Sequence, residues 1–88
     1  MAEDFQWDDD NISHIWRRHR VRPHEAEEAI ADPHVYPAPA GEPYEAILGL
    51  TEAGRLLWVL FEYRGDRYRV GAARDANIHE QRLYWEQR

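Results

Sequence analysis

Eighty-eight residues carrying 17 acids against 11 arginines, for a net charge of −6, suffice for one hydrophobic core and no second, so a single domain over residues 1–88 with a shallow or open site is expected. The absence of cysteine excludes disulfide scaffolds, thiolate zinc sites and cysteine nucleophiles, and the acidic balance argues against a general nucleic-acid coat protein. The opening "MAEDFQWDDD" has no basic flank or apolar h-region and no run approaches a membrane span, so the expectation is a soluble cytoplasmic protein with no membrane partner.

In chain order, "FQW" (Phe5 to Trp7) alternates apolar and polar and reads as a short edge strand. "WDDDNISHIWRRH" follows as a helix: Asp8 is a good N-cap, acids crowd the positive end, and Arg17 and Arg18 lie near the negative end. Ile12, Ile15, Trp16 and His19 fall at i, i+3, i+4, i+7 and predict one buried face. A second helix begins with Pro23 at its first position and the early acids Glu25, Glu27 and Glu28, carries a thin apolar stripe of Ala26, Ala29 and Ile30, and stops at Asp32 and Pro33.

"HVYPAPAGEP" is too rich in proline for a regular element and reads as the one extended loop. Beyond it, Tyr44 to Leu50 reads as a strand, "TEAGR" as a turn, and "LLWVLFEYR" as a strand apolar on both faces, suited to the middle of a sheet. Gly65 and Asp66 make a hairpin turn, for which the "RGD" string needs no adhesive role, and "RYRVGAA" supplies the next strand. Asn77 and Glu80 have the spacing of a capping box opening a last helix, with Ile78, Arg82 and Trp85 on one stripe and Leu83 nearby. The order β-α-α-β-β-β-α predicts a two-layer α+β fold, an antiparallel sheet with helices packed on one face.

The string "FQWDDDN" leading into "WRRHRV", then "EAEEAIADP", "GRLLWVLFEYRGDRYRVGAARDA" and "HEQRLYWE", resembles the BrnT family of bacterial type II toxins, in register from about Phe5 to Glu86. The resemblance implies a RelE-like ribonuclease fold and an endoribonuclease that cuts RNA with no metal or other cofactor and slows translation. It also implies a BrnA-like, ribbon-helix-helix antitoxin as partner, through which alone the chain meets DNA. Five positions depart from the family's usual residues: Arg18 and Arg20 in "K-H-G-V", Ala72 and Asp75 in "S-A-R-K-A", and Gln81 in "E-R".

Metal-free RNA cleavage needs a base for the 2′-hydroxyl, an acid for the leaving 5′-oxygen and positive charge for the transition state. Arg74 is the first candidate for the last role. Its parity with Tyr68, Val70 and Ala72 places it at the margin of a packed face, near the N-terminus of the last helix. An ion pair with Asp75, Glu80 or an early carboxylate, merely tying strand to helix, explains it equally well. Arg67 and Arg69 alternate onto the opposite face as RNA-backbone contacts, or as an ordinary solvated strand face. In "RRHRVR", Arg18 is a further phosphate contact and His19 an acid or base, imidazole being the side chain that titrates near neutrality; alternatively His19 is a packing histidine and the arginines only complement the helix dipole. His79 and Glu80 are further acid or base candidates, although capping alone accounts for Glu80, and Arg82 is a last phosphate candidate.

His14, His19 and His24 are spaced by five, which stacks no metal ligands on a helix face, and no H-E-x-x-H occurs, so no metal site is expected. Trp16 and Trp58 fall at core positions, whereas Tyr84 and Trp85 are freer to stack bases or dock a partner. A second reading stays open: a catalytically inactive RelE-fold protein-binding module, whose acidic front and aromatic tail engage another protein.

Overall fold

The computed structural model describes residues 4–87. Its elements are β1 (Asp4–Phe5), α1 (Asp9–His19), α2 (Pro23–Ile30), β2 (Tyr36–Ala38), β3 (Tyr44–Leu50), β4 (Leu56–Arg64), β5 (Arg67–Asp75) and α3 (Ile78–Glu86). The five strands form one sheet in the order β1-β5-β4-β3-β2, an α+β architecture as the pattern of elements predicts. The sheet is mixed rather than antiparallel, because β1 runs parallel to β5 while the other pairs are antiparallel.

The extra strand is β2, which lies inside the proline-rich stretch expected to be irregular. It pairs with Ala46 to Leu48 at the sheet's edge, where a proline needs a ladder partner on one side only, so Pro37 is tolerated. The segment therefore contributes three residues of edge strand and leaves a shorter loop.

Helices α1 and α2 bury Ile15, Val21, Ala26 and Ala29 against Leu57, Val59, Phe61, Val70 and Ala73. Their approach is closest where α2 crosses β3: a Cβ on Gly49 would lie 1.9 Å from the Ala29 carbonyl oxygen, so only glycine lets the two backbones meet. Capping sets the helix starts as expected. Asp8 accepts from the Asp10 and Asn11 N–H groups while Asn11 Oδ1 accepts from the Asp8 N–H, and Pro23 begins α2.

The buried face of α1 is narrower than its apolar spacing predicts. Ile15 is fully buried, but Ile12 and Trp16 are 36% and 37% exposed, and His19 is exposed rather than packed. Asn11 replaces them, its buried amide donating to the Gln6 and Val70 carbonyls. Trp16 is instead covered by cations, the Arg20 and Arg22 guanidinium carbons lying 5.3 and 4.4 Å from its ring centre, an arrangement that suits an exposed indole. Arg20 ends the helix at φ 56°, a left-handed conformation that favours the glycine usual in the resembled family.

Helix α3 is anchored by one residue. Tyr84 is fully buried, whereas Ile78, Leu83 and Trp85 are 61%, 45% and 47% exposed, so neither the predicted stripe nor a free Tyr84 holds. Its ring packs with Leu48 and Ala76 beside Leu50, Leu56 and Trp58, and its hydroxyl donates to Asp32. Asp32 also accepts from the Leu50 N–H at 2.8 Å and the His34 N–H at 2.9 Å. The aspartate that stops α2 thus joins α2, β3 and α3 at a single buried carboxylate.

Candidate functional site

The site follows from an interruption in β5. Leu60 pairs with Ala72 but Phe61 pairs with Val70, so Gly71 is an extra residue that bulges and resets the alternation. Val70 and Ala73 therefore both face the core, and Arg74 does not share the face of Tyr68 and Val70, as unbroken alternation predicts. It lies directly across from Trp58 on β4. β1 pairs with Arg67 and Tyr68, so among the described residues the outer edge of β5 beyond the bulge has no strand beside it, and α1 overhangs it.

The result is an open cleft of about 200 Å³ between α1, which contributes His14, Ile15, Arg18 and His19, and the strands, which contribute Trp58, Ala72, Ala73 and Arg74. It is smaller than pockets that enclose a whole ligand, roughly 300–1,000 Å³, and suits a short piece of extended chain. A larger groove of about 520 Å³ runs between the end of α2 and the β3–β4 turn, but Glu27, Glu28, Asp32 and Glu52 line it. Those carboxylates repel phosphate, which makes the smaller cleft the candidate for an anionic substrate.

Arg74 is held on three sides. Its guanidinium carbon sits 4.4 Å from the Trp58 ring centre, its two terminal nitrogens donate to the Glu80 carboxylate at 2.8 and 2.9 Å, and Nη1 also donates to the Asp75 carbonyl at 3.2 Å. These contacts use three of five N–H groups. Among the described residues, no acceptor engages Nε–H or the second Nη2–H, the edge of the guanidinium that offers two parallel donors. The strand-to-helix ion pair and an unpaired edge of two donors, a geometry suited to phosphate, therefore coexist in one side chain.

Glu80 is committed elsewhere. The hydrogen bonds from Arg74 hold its carboxyl below the usual range despite burial, and the Asn77 N–H lowers it further, while the Asn77 side chain caps the Glu80 N–H. A carboxylate so stabilised is poor as an acid or base and serves to orient Arg74. His79 is exposed in the first turn of α3 and does not line the cleft.

The other expected contacts lie away from this place. Arg69 donates to both Asp8 oxygens, at 2.8 and 3.3 Å, and this bond holds the Asp8 carboxyl below its ordinary value; the pair ties β5 to the N-cap of α1. Arg67 is exposed at the start of β5 and Arg82 on α3. Of the basic residues expected to act together, Arg18, His19 and Arg74 meet.

Sequence reasoning missed three participants. His14 lies one helical turn before Arg18, a spacing that places both on one face. Trp58, expected in the core, is only partly buried and supports Arg74. Arg55 bonds to Asp75 at 2.7 and 3.2 Å, to Glu25 at 3.2 Å and to the His19 and Arg20 carbonyls at 3.0 and 2.9 Å. It satisfies the open C-terminus of α1 and so fixes the basic segment above the cleft. Asp75 gains a structural purpose from this pair, and its bond to Arg55 holds its carboxyl below the ordinary value.

Among the described residues no group of three histidine or acidic side chains is arranged to hold a metal, and no helix is long and apolar enough to cross a membrane. A family model described as "Ribonuclease toxin, BrnT, of type II toxin-antitoxin system" matches residues 7–80. No curated protein matched the chain.

Proposed function

The chain belongs to the BrnT family of ribonuclease toxins of type II toxin-antitoxin systems, and from that premise we propose that it is an endoribonuclease that cleaves RNA without a metal and thereby inhibits translation. The observation that carries this reading is Arg74, locked by Trp58 and Glu80 with one N–H edge unpaired, in the lining of a cleft that also holds Arg18 and His19. A guanidinium fixed before substrate arrives pays no reorganisation when charge develops on the phosphate, which is the condition for electrostatic stabilisation of a transition state. Arg18 adds a second cation and His19 a proton-transfer group. Arg67, Arg69, Arg82 and His79 play no part in this chemistry, and Glu80 acts through Arg74.

The fold acts as one domain in the cytoplasm, where its substrate is. A co-encoded BrnA-like antitoxin, carrying a ribbon-helix-helix DNA-binding domain, neutralises it by covering the cleft. The test is cleavage of a single-stranded RNA by the purified chain, free of any antitoxin and in excess EDTA. Full activity is expected there, with a loss of about 10²–10³-fold in Arg74→Ala, the usual effect of removing one transition-state donor. Dependence on added metal overturns the metal-free mechanism, and an Arg74→Ala variant as active as the parent overturns the site.

One arrangement favours the alternative of an inactive binding module: Arg69 and Arg74 are each neutralised by a carboxylate, Asp8 and Glu80, and α3 presents Ile78 and Leu83 to solvent. That reading predicts no cleavage under any condition and an undiminished affinity for the antitoxin in Arg74→Ala.

A further inference from the structure

We propose that His14 is a catalytic residue, forming with His19 a pair of imidazoles that move the two protons of RNA cleavage on either side of the phosphate. The inference rests on the ribonuclease reading of the same cleft and adds a residue that neither the family match nor the sequence pattern identifies.

The argument begins with a shortage. Transesterification by a 2′-hydroxyl needs two proton-transfer groups, and the cleft contains no carboxylate or tyrosine among its lining residues. Glu80 is fastened to Arg74 through both oxygens, Asp75 is fastened to Arg55 through both of its own, and His79 lies outside the cleft. The two side chains left with the right chemistry are His14 and His19.

Helix geometry separates them suitably. Five residues advance about 7.5 Å along the axis and turn through about 140°, with Arg18 about 40° from His14 and therefore between the two. Attack and departure at phosphorus occur roughly in line, so base and acid must approach from opposite sides while cations face the equatorial oxygens. A cleft with an imidazole at each margin of α1's sheet-facing arc, Arg18 and the buried Ile15 between them and Arg74 opposite has that arrangement.

The step balances without a co-reactant. One neutral imidazole takes the 2′-hydroxyl proton as the O2′–P bond forms; the P–O5′ bond breaks, and the other, protonated imidazole gives its proton to O5′. The products are a 2′,3′-cyclic phosphate and a 5′-hydroxyl, and the pair ends with its protonation states exchanged.

The test compares the full-length parent, His14→Asn, His19→Asn and Arg74→Ala on one RNA oligonucleotide. His14→Asn is expected to lose about a hundredfold or more in cleavage rate, with unchanged melting temperature and RNA affinity. One limb of the pH–rate profile flattens, measured against a background in which Arg18, His19, Asp75 and Arg74 with its partner Glu80 are the charged groups facing the site. His14→Ala regains activity with added imidazole. A substrate whose 5′-oxygen is replaced by sulfur, a leaving group that needs no proton, restores whichever variant lacks the acid and so assigns the two roles. A His14→Asn rate within about threefold of the parent, while Arg74→Ala is inactive, overturns the pair and leaves the ribonuclease reading intact; a parent that does not cleave RNA overturns both.

Discussion

Removing the Tyr84 hydroxyl tests the connection that holds α3 to the rest of the fold. Tyr84→Phe keeps the ring, which is fully buried, and deletes the hydroxyl that donates to Asp32. Asp32 is 9% exposed and retains the Leu50 and His34 N–H groups, so the cost is one hydrogen bond to a charged acceptor, about 1.5–3 kcal/mol. For a chain of this size about 2 kcal/mol lowers the melting temperature by roughly 8–16 °C. Burial pushes the Asp32 carboxyl up, but the bonds from Tyr84, His34 and Leu50 outweigh it and leave the group below its usual 3.8. A depressed folded value means the contribution is fully present above the unfolded value and is lost as pH falls through the folded one. The phenylalanine variant loses one of the lowering bonds, so its acid limb starts at higher pH and its deficit against the parent narrows as pH falls from the variant's folded value to the parent's. Urea unfolding of both proteins from pH 7 downward measures this. A variant within about 0.5 kcal/mol of the parent at pH 7, well under one charged hydrogen bond, refutes the assignment.

Gly49→Ala is expected to cost at least about 1–3 kcal/mol, because its Cβ meets the Ala29 carbonyl rather than a movable side chain; Gly41→Ala, with nothing within 4 Å, is the neutral control in the same urea titration. Arg20→Gly relieves a left-handed arginine at a strain of roughly 1–2 kcal/mol, partly offset by the greater unfolded freedom of glycine and lost contact with Trp16, so the unfolding midpoint rises by less than about 1 kcal/mol of stability. Arg55→Ala leaves the His19 and Arg20 carbonyls and Asp75 unpaired and costs about 2 kcal/mol by urea unfolding; it also slows RNA cleavage although Arg55 lines no part of the cleft, an effect absent if the basic segment positions itself.

What the sequence reveals is what its near neighbours decide. Asp8 with Asn11 and Asn77 with Glu80 are partners three residues apart, and both caps were legible because the helix end needs an acceptor at that spacing. Asp32 and Tyr84 are 52 residues apart, and Arg55 finds acceptors 20 to 36 residues away, so nothing local marks either as a fastening. The bulge at Gly71 was invisible for a different reason. Alternation assumes an unbroken ladder, and one inserted residue exchanged the faces of everything after it. Arg74 could be named as a candidate, yet its neighbour Trp58 and the α1 overhang depend on that insertion. The stripes predicted on α1 and α3 failed because a short helix meeting a sheet edge or end buries one or two side chains, not a whole apolar face.

A net charge of −6 and an RNA substrate conflict only if charge is averaged over the surface. Four of the carboxylates nearest the basic residues are bound to them: Asp8 to Arg69, Glu80 to Arg74, and both Glu25 and Asp75 to Arg55. Others line the groove beside α2, and none lines the cleft. With screening over about 8 Å at physiological salt, the potential felt by a phosphate between α1 and β5 is governed by Arg18 and the open edge of Arg74, not by the whole molecule. On the proposed reading such a chain gains little from long-range attraction, so its non-specific affinity for RNA is expected to be low and weakly salt-dependent, with the proposed transition-state contacts undiminished. The acids that make the protein unlike a nucleic-acid binder in composition are, at β5 and α3, the groups that hold its arginines still.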